Sequence, residues 1–455
     1  MDVARSVLDL VGHTPMVEAS RLDTGPCRLF IKLEALNPGG SIKDRIGRQM
    51  IEAAEQRGDI RPGDLLVEAT AGNTGLGLAL VAAIRGYRLL IVMPDKMSRE
   101  KVFNVQAMGA EVVMTRSDVQ KGHPEYYQDL AQRLAEERGG YYINQFGNPD
   151  NPAAHETTTG PEILEQLDGK VDAVVLGVGT SGTLTGVSRY LAKASPDTEI
   201  VLADPEGSIL AGYIETGEIG KAKRWLVEGI GEDFIPTIAD LSRVKRAYTI
   251  PDAEAFATAR EVLQKEALLL GSSSGTLIGA ALRYCREQTG PKNVVTLGCD
   301  TGAKYLSKLY NDFWMVERGF IPAPSTGTLA DLVTRPHRRN ATVTVGPDDA
   351  LATAHDRLRD GGFSQVPVVR EGRLVGAVTE GDLLRAVLEE DLGFDAPVRR
   401  VMNAGFPRLD AGESKAVLAE RLSIEPAVAI EADGEFVGLV TRADYLTWIR
   451  NGGRL

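Results

Sequence analysis

Four short stretches hold residue types that could do chemistry, and each stands where a strand or turn gives way to a helix. In Asn37–Arg45, NPGGSIKDR, Lys43 follows a Gly-Gly-Ser turn at the entry to a helix predicted over Asp44–Gln56. The Pro-Gly-Gly approach constrains the backbone close to something. Beside a helix start and away from water, the Lys43 ammonium is pushed toward the neutral amine that Schiff-base chemistry requires. A solvated surface lysine is the commoner use of the residue, and only this setting argues for more. The second stretch is Gly177–Gly182, GVGTSG, which follows the apolar run VDAVVL, with Asp204 at the end of the next strand. The pattern matches a dinucleotide fingerprint, yet its physics is broader. Glycines let N–H groups approach a phosphate, and the helix start adds partial positive charge. A phosphate-bearing cofactor, NAD or a merely tight turn all satisfy it.

The third stretch, Thr70–Gly75, TAGNTG, offers a nest of N–H and hydroxyl donors suited to a carboxylate. Its Asn73 adds an amide for a phenolate-like oxygen, although helix capping by Thr70 or Asn73 explains the same residues. The fourth, Gly271–Thr276, GSSSGT, is again a polar turn into a helix, and capping needs only one of its three serines.

These stretches need a frame that brings strand ends together. Apolar strands are predicted over Leu65–Glu68, Leu89–Met93, Glu111–Met114, Ala173–Leu176, Ile200–Ala203 and Val294–Leu297. All six run apolar on both faces, as buried parallel strands do. Helical segments such as Gly75–Arg85, Ser98–Met108 and Glu125–Arg138 lie between them. The alternation predicts an α/β protein with helices on both faces of an open sheet.

After Trp314 the pattern changes. Residues 316–328, VERGFIPAPSTGT, read as a linker between a catalytic region over 1–315 and a separate domain over 329–455. Within that domain Gly372–Leu384 and Gly434–Leu446 share seven of thirteen positions at an offset of 62 residues, which predicts two β-β-α repeats over about 329–391 and 392–455. One such unit alone exposes an apolar sheet face, so the two should pack together. Both carry T-x-x-D after the second strand, Thr379 with Asp382 and Thr441 with Asp444. A hydroxyl and a carboxylate so spaced can hold the two hydroxyls of a ribose, and can equally cap a helix.

Composition narrows the field. The 455 residues allow about three folding units. With 43 % hydrophobic and 25 % charged residues, the chain is globular rather than disordered. A net charge of −12 argues against a nucleic-acid partner. Three cysteines make no disulfide framework, Met1–Leu10 has no apolar signal core, and Thr70–Ile84, the most apolar stretch, is too short to span a bilayer. A cytoplasmic protein with no membrane partner is expected. The histidines at 13, 123, 155, 337 and 355 show no metal spacing and read as solvated or capping residues; no metal is expected. The acidic run Glu228–Asp233 reads as a solvated edge.

Taken together, NPGGSIKDR, TAGNTG and GTSGT resemble the fold-type II pyridoxal-phosphate β-family, that of the cystathionine β-synthases and cysteine synthases. The likeness runs from about Val3 to Phe320 and includes EGIGEDFIP at Glu228–Pro236, a loop that borders the active-site entrance in the family. The repeat at Leu329–Leu455 resembles a Bateman module of paired CBS domains. Cystathionine β-synthases carry that module and cysteine synthases normally lack it, so the whole-chain likeness favours the former. The resemblance implies two open parallel-sheet subdomains followed by an α+β tandem CBS-domain module. It implies that Lys43 holds pyridoxal phosphate as a Schiff base, takes the substrate's α-proton and helps protonate the leaving group. Asn73 would meet the cofactor's 3′-oxygen; Gly179, Thr180, Ser181, Gly182 and Thr183 would cradle its phosphate, and Ser273 would face its pyridine nitrogen. Thr70, Gly72, Thr74 and Gln145 would hold the substrate carboxylate. A serine hydroxyl does not enforce a protonated ring, which suits β-elimination and thiol addition better than transamination.

The implied reaction joins L-serine and L-homocysteine into L-cystathionine and water, with side reactions that form hydrogen sulfide. The alternative is a cysteine synthase using O-acetylserine or O-phosphoserine with sulfide. Ala71 stands where animal enzymes have serine, and Phe146 and Glu232 where they have tyrosine. With 42 residues before Lys43, no haem-binding extension is expected. The resemblance also implies a homodimer or larger homo-oligomer and an adenosine-containing ligand, S-adenosylmethionine first, at Thr379, Asp382, Thr441 and Asp444.

Overall fold

The computed structural model describes residues 3–70, 72–95, 99–119, 122–322, 326–389 and 391–450. They form two compact units, Met1–Leu309 and Tyr310–Leu455. In the first unit the strands are β1 (Met16–Glu18), β2 (Arg28–Lys32), β3 (Leu65–Ala69), β4 (Arg88–Pro94), β5 (Glu111–Thr115), β6 (Tyr141–Tyr142), β7 (Ala173–Gly177), β8 (Glu199–Pro205), β9 (Val244–Ile250) and β10 (Asn293–Leu297). They make two sheets. One is parallel throughout in the order β5-β4-β3-β6; the other runs β1-β2-β10-β7-β8-β9, with β1 alone antiparallel.

Alternate residues of the smaller sheet fill two cores. Leu66 and Ile91 pack with the helices Lys43–Arg57 and Asn73–Arg85, whereas Val67 and Leu90 pack with Leu130 and Ala131 of the helix Tyr127–Arg138. Central strands are therefore apolar on both sides. β5 departs from that expectation. It is an edge strand, half-exposed along most of its length, because only β4 pairs with it. The predicted helix Ser98–Met108 is observed as Arg99–Ala107, and Ser98 lies outside the described residues. Sequence pattern missed β2 and β9, which carry lysine and arginine inside the strand.

The charge in β2 is part of the centre of the unit. Lys32 is fully buried, with Nζ 2.8 Å from Glu162 Oε2. The Arg45 guanidinium donates to both oxygens of Glu34 at 2.8 Å and both of Glu162 at 2.7 Å. Thr14 Oγ1 donates to Glu34 at 2.7 Å. Two cations and two anions thus balance away from water, joining β2, the turn Glu34–Leu36, the helix Lys43–Arg57 and the helix Gly160–Gln166. Close helix approach adds a second constraint. A Cβ at Gly47 would stand 2.7 Å from the Gly77 carbonyl carbon, and one at Gly77 would stand 2.7 Å from Lys43 O.

The second unit begins earlier than the predicted linker. It includes the helix Asp312–Glu317, with Met315 buried and the Trp314 ring 6.0 Å from Phe320, while 323–325 of the predicted linker lie outside the described residues. The repeat appears as two hairpins, Gln365–Arg370 with Arg373–Thr379 and Ala427–Ala432 with Glu435–Thr441, each followed by a helix. Even the bulges correspond, between Val368/Val369 and Ile430/Glu431. Leu374, Ala377, Ala429 and Phe436 form a shared core. The predicted repeat boundaries are crossed by packing: Leu329 and Val333 enter the core of the second repeat, Leu392 and Val398 that of the first.

Removing one member of the buried charge group strands the others. Arg45→Met is expected to lower stability by about 3–5 kcal/mol, seen as a lower urea midpoint for the first unit. Burial raises the Glu162 pKa, but Arg45 and Lys32 prevail and hold it at about 2 against an ordinary 4.5. Its contribution is complete above about pH 4.5 and is lost as pH falls toward 2. The midpoint should decline over that range in the wild type and decline less in Arg45→Met.

Candidate active site

Lys43 opens the helix Lys43–Arg57, and burial lowers its pKa, opposed by the charges of Cys299, Asp300 and Glu232. The preceding glycines are explained by the protein's own groups. Gly39 donates its N–H to the Asp44 carboxylate, which a Cβ at 39 would strike, and Gly40 has φ +73°. Ile42 N donates to Cys299 O at 2.9 Å, which pins the turn to the end of β10.

β7 runs into the loop 177–183 and the helix Gly182–Ala194. Ser181 takes φ +71°, and a Cβ at Gly179 would lie 2.6 Å from Gly229 O. Asp204 is buried at the end of β8, where its Oδ2 accepts from Ala211 N at 2.8 Å. It caps the helix Leu210–Thr216, which removes the ribose-binding carboxylate that the dinucleotide alternative needs.

Three serines divide their work. Ser272 Oγ accepts from Glu228 N at 3.0 Å and Ser274 Oγ from Cys299 N at 2.9 Å. Ser273 is left facing the cleft, beside the Cys299 thiol.

Asn73 begins the helix Asn73–Arg85 with its amide oriented from both ends. Nδ2 donates to Asp300 Oδ2 at 2.8 Å, and Lys304 Nζ donates to Oδ1 at 2.7 Å. The remaining Nδ2 hydrogen is available to a ligand. Thr70 Oγ1 accepts from Gly72 N at 3.2 Å, and Thr74 Oγ1 donates to Gln145 Oε1 at 2.7 Å. The four candidate carboxylate holders are thus hydrogen-bonded in two pairs, Thr70 with Gly72 and Thr74 with Gln145. Ala71 lies outside the described residues.

Several site residues carry no sequence signal of their own. Glu68, buried in β3, accepts from Ala69 N at 2.9 Å and Gln145 N at 3.1 Å, and burial raises its pKa to about 8. Glu228 belongs to no solvated edge: it is half-buried and pairs with Lys101 and, at 2.5 Å, with Lys308. His155, expected to be solvated or capping, is buried against Thr159 and Thr183. Only a structure could pair them across such sequence distances.

In the second unit, both T-x-x-D pairs are reciprocal caps. Thr379 Oγ1 donates to Asp382 Oδ2 at 2.7 Å, and Thr441 Oγ1 to Asp444 Oδ2 at 2.6 Å. Thr334 donates to the second oxygen of Asp444 at 2.9 Å, whereas that of Asp382 meets Arg385 at 3.5 Å.

Lys43, Asn73, Ser273 and residues 179–183 line one cleft. A buried amine whose pKa is lowered, a loop of N–H groups and hydroxyls at a helix start, and a serine hydroxyl fit an aldehyde-bearing phosphate cofactor with a ring nitrogen. A family model described as "Pyridoxal-phosphate dependent enzyme" matches residues 7–300, and one described as "CBS domain" matches 330–389. Cystathionine beta-synthase of Oryctolagus cuniculus is 40 % identical over 434 residues, 92 % of this chain and 78 % of that protein. That of Dictyostelium discoideum is 36 % identical over 464 residues, 98 % and 92 % of the two chains. The crystal structure of the O-acetylserine dependent cystathionine beta-synthase from Helicobacter pylori superposes with a TM-score of 0.63 at 36 % identity, covering 68 % of this chain and 99 % of that one. The fold is that of a pyridoxal-phosphate dependent enzyme. Within that class, the chain belongs to the cystathionine beta-synthase family.

Glu68→Ala would leave the N–H groups of Ala69 and Gln145 buried and unpaired. A cost of about 1–3 kcal/mol for each is expected, read as a lower thermal midpoint.

Proposed function

We propose that this protein condenses L-serine with L-homocysteine into L-cystathionine and water, a β-replacement in transsulfuration and cysteine biosynthesis. The reading is carried by one observation: an amine driven toward neutrality shares its cleft with the 179–183 loop and Ser273, in a chain 40 % identical to a cystathionine beta-synthase over most of its length.

Bound pyridoxal phosphate supplies an aldehyde for the amine and an electron-accepting ring that acidifies the substrate Cα–H. Lys43 Nζ would hold the cofactor, and its amine, when free, would take the α-proton and give a proton to the leaving hydroxyl. Asn73 serves the 3′-oxygen with its free N–H, and residues 179–183 hold the phosphate. Ser273 meets the ring nitrogen with a neutral hydroxyl. Thr70, Gly72, Thr74 and Gln145 orient the carboxylate. As the Cβ–O bond of serine breaks, the proton taken from Cα leaves with the hydroxyl as water; as the Cβ–S bond forms, the thiol proton replaces it at Cα.

Phe146, directly after Gln145 and with its ring 5.6 Å from that of Phe234, supports a second reading. A site with no tyrosine hydroxyl there suits O-acetylserine or O-phosphoserine as donor and sulfide as acceptor. Further parts of the proposal are a homodimer or larger homo-oligomer, a cytoplasmic setting and catalysis without haem. The free thiols of Cys27, Cys285 and Cys299 support a reducing compartment. We also propose that the module binds an adenosine-containing ligand, with the less occupied carboxylate of Asp382 the better ribose acceptor.

Lys43→Ala is expected to remain folded, lose cofactor absorbance that borohydride can trap, and lose more than ~10³-fold in kcat. Near-normal turnover in that variant would end the proposal. Comparing kcat/KM for serine with homocysteine against O-acetylserine with sulfide decides between the two readings. Calorimetry with S-adenosylmethionine, AMP and ATP should show heat in the full chain that Asp382→Ala loses; silence from the wild type overturns the ligand assignment. A monomer by light scattering, or a Soret band in the purified protein, would overturn the corresponding part.

A further inference from the structure

The hydroxyls of Thr180 and Thr183 are backed by one helix. Asn151 and His155 stand four residues apart, the first in the helix Asp150–Ala154 and the second opening the π-turn His155–Thr159. Such turns recur at functional sites. Both side chains are buried. Asn151 Nδ2 lies 2.8 Å from Gln145 O and 3.0 Å from Thr180 Oγ1. A carbonyl can only accept, so the amide nitrogen must face Gln145 O, and both its hydrogens are then committed. Thr180 Oγ1 is therefore an acceptor toward Asn151, and its O–H is free to point elsewhere.

His155 repeats the arrangement, with Nδ1 2.9 Å from Thr159 Oγ1 and Nε2 3.2 Å from Thr183 Oγ1. Burial, and the charges of Arg45 and Lys43, hold the imidazole neutral, so one nitrogen donates and the other accepts. The close approach is built in. A Cβ at Gly182 would lie 1.8 Å from Asn151 Oδ1, and one at Gly186 would lie 2.2 Å from Pro152 O and 2.8 Å from His155 Cβ.

We propose that Asn151 and His155 are positioning residues that donate N–H to Thr180 Oγ1 and Thr183 Oγ1, turning both hydroxyls into donors toward the cleft and thereby selecting an acceptor-only group, the phosphate of the cofactor. In this assignment Thr159 donates to Nδ1, and Nε2 carries the proton. The inference rests on the reading of residues 179–183 as the phosphate cradle. It adds a direction to each hydrogen bond behind that cradle.

The test uses full-length protein stripped of cofactor with hydroxylamine and titrated with pyridoxal phosphate and with pyridoxal, which lacks the phosphate. His155→Phe removes the donor and should weaken pyridoxal phosphate about tenfold while leaving pyridoxal unchanged. His155→Gln restores an N–H and should recover most of that loss. Asn151→Asp, nearly isosteric but accepting only, draws the Thr180 proton away from the cleft and should also cost about tenfold or more. The ³¹P resonance of bound cofactor should move in His155→Phe and return in His155→Gln. Thermal unfolding of each stripped variant reports whether it folds. Equal losses for pyridoxal and pyridoxal phosphate, or a glutamine variant that folds yet behaves as the phenylalanine one, would overturn the inference. A phosphate preference intact in every variant would overturn it alone, whereas a wild type without that preference would overturn the cradle reading and the inference with it.

Discussion

Arg45 lies two residues beyond Lys43, and its guanidinium is shared between Glu34 and Glu162 with almost no contact with water. Buried charges are tolerable only when each lone pair and proton has a partner, so this group accepts few alternative arrangements. Glu34 follows β2, Glu162 sits beyond the π-turn, and Lys32 ends β2 itself. Whatever satisfies Arg45 also decides where the helix bearing Lys43 begins. The Lys43 amine is placed by an interaction in which it takes no part.

Glycine carries the second half of that placement. The Lys43 and Asn73 helices meet at Gly47 and Gly77, and the Gly182 helix meets the Asn151 segment at Gly182 and Gly186. At each crossing a side chain would collide with backbone or with a buried amide. The absence of a Cβ at these positions brings helix starts, with their unpaired N–H groups, to one cleft. Several glycines that read as ligand contacts, Gly39, Gly179 and Gly182 among them, are needed first by neighbouring protein atoms. That packing leaves the loop N–H groups and hydroxyls to face the cleft.

Around the cleft the polar groups are already oriented. Asp300 and Lys304 hold the two ends of the Asn73 amide, Ser272 and Ser274 are committed to backbone, and Glu68 holds Gln145. Such networks reduce the reorganisation needed when a charged ligand arrives. In the module, by contrast, the two halves repeat to the level of the β-bulge, yet Thr334 breaks their equivalence by occupying Asp444 alone.

The sequence by itself determined the α/β class, the positions of six strands and the burial of five of them, the duplicated C-terminal module and the four polar turns whose residues line or border one cleft. Strand burial and helix entry are local properties, written in runs of apolar residues and in glycine, serine and threonine at the turns. Only the tertiary structure decided that Lys32, Glu34, Arg45 and Glu162 neutralise one another, that Asp204 caps a helix, that β5 is a half-exposed edge, and that His155 supports Thr183. It also decided that Leu329 and Leu392 each pack into the other repeat. These are pairings between residues far apart along the chain. A charged or polar side chain reads as solvated until the fold supplies the partner that satisfies it in the absence of water.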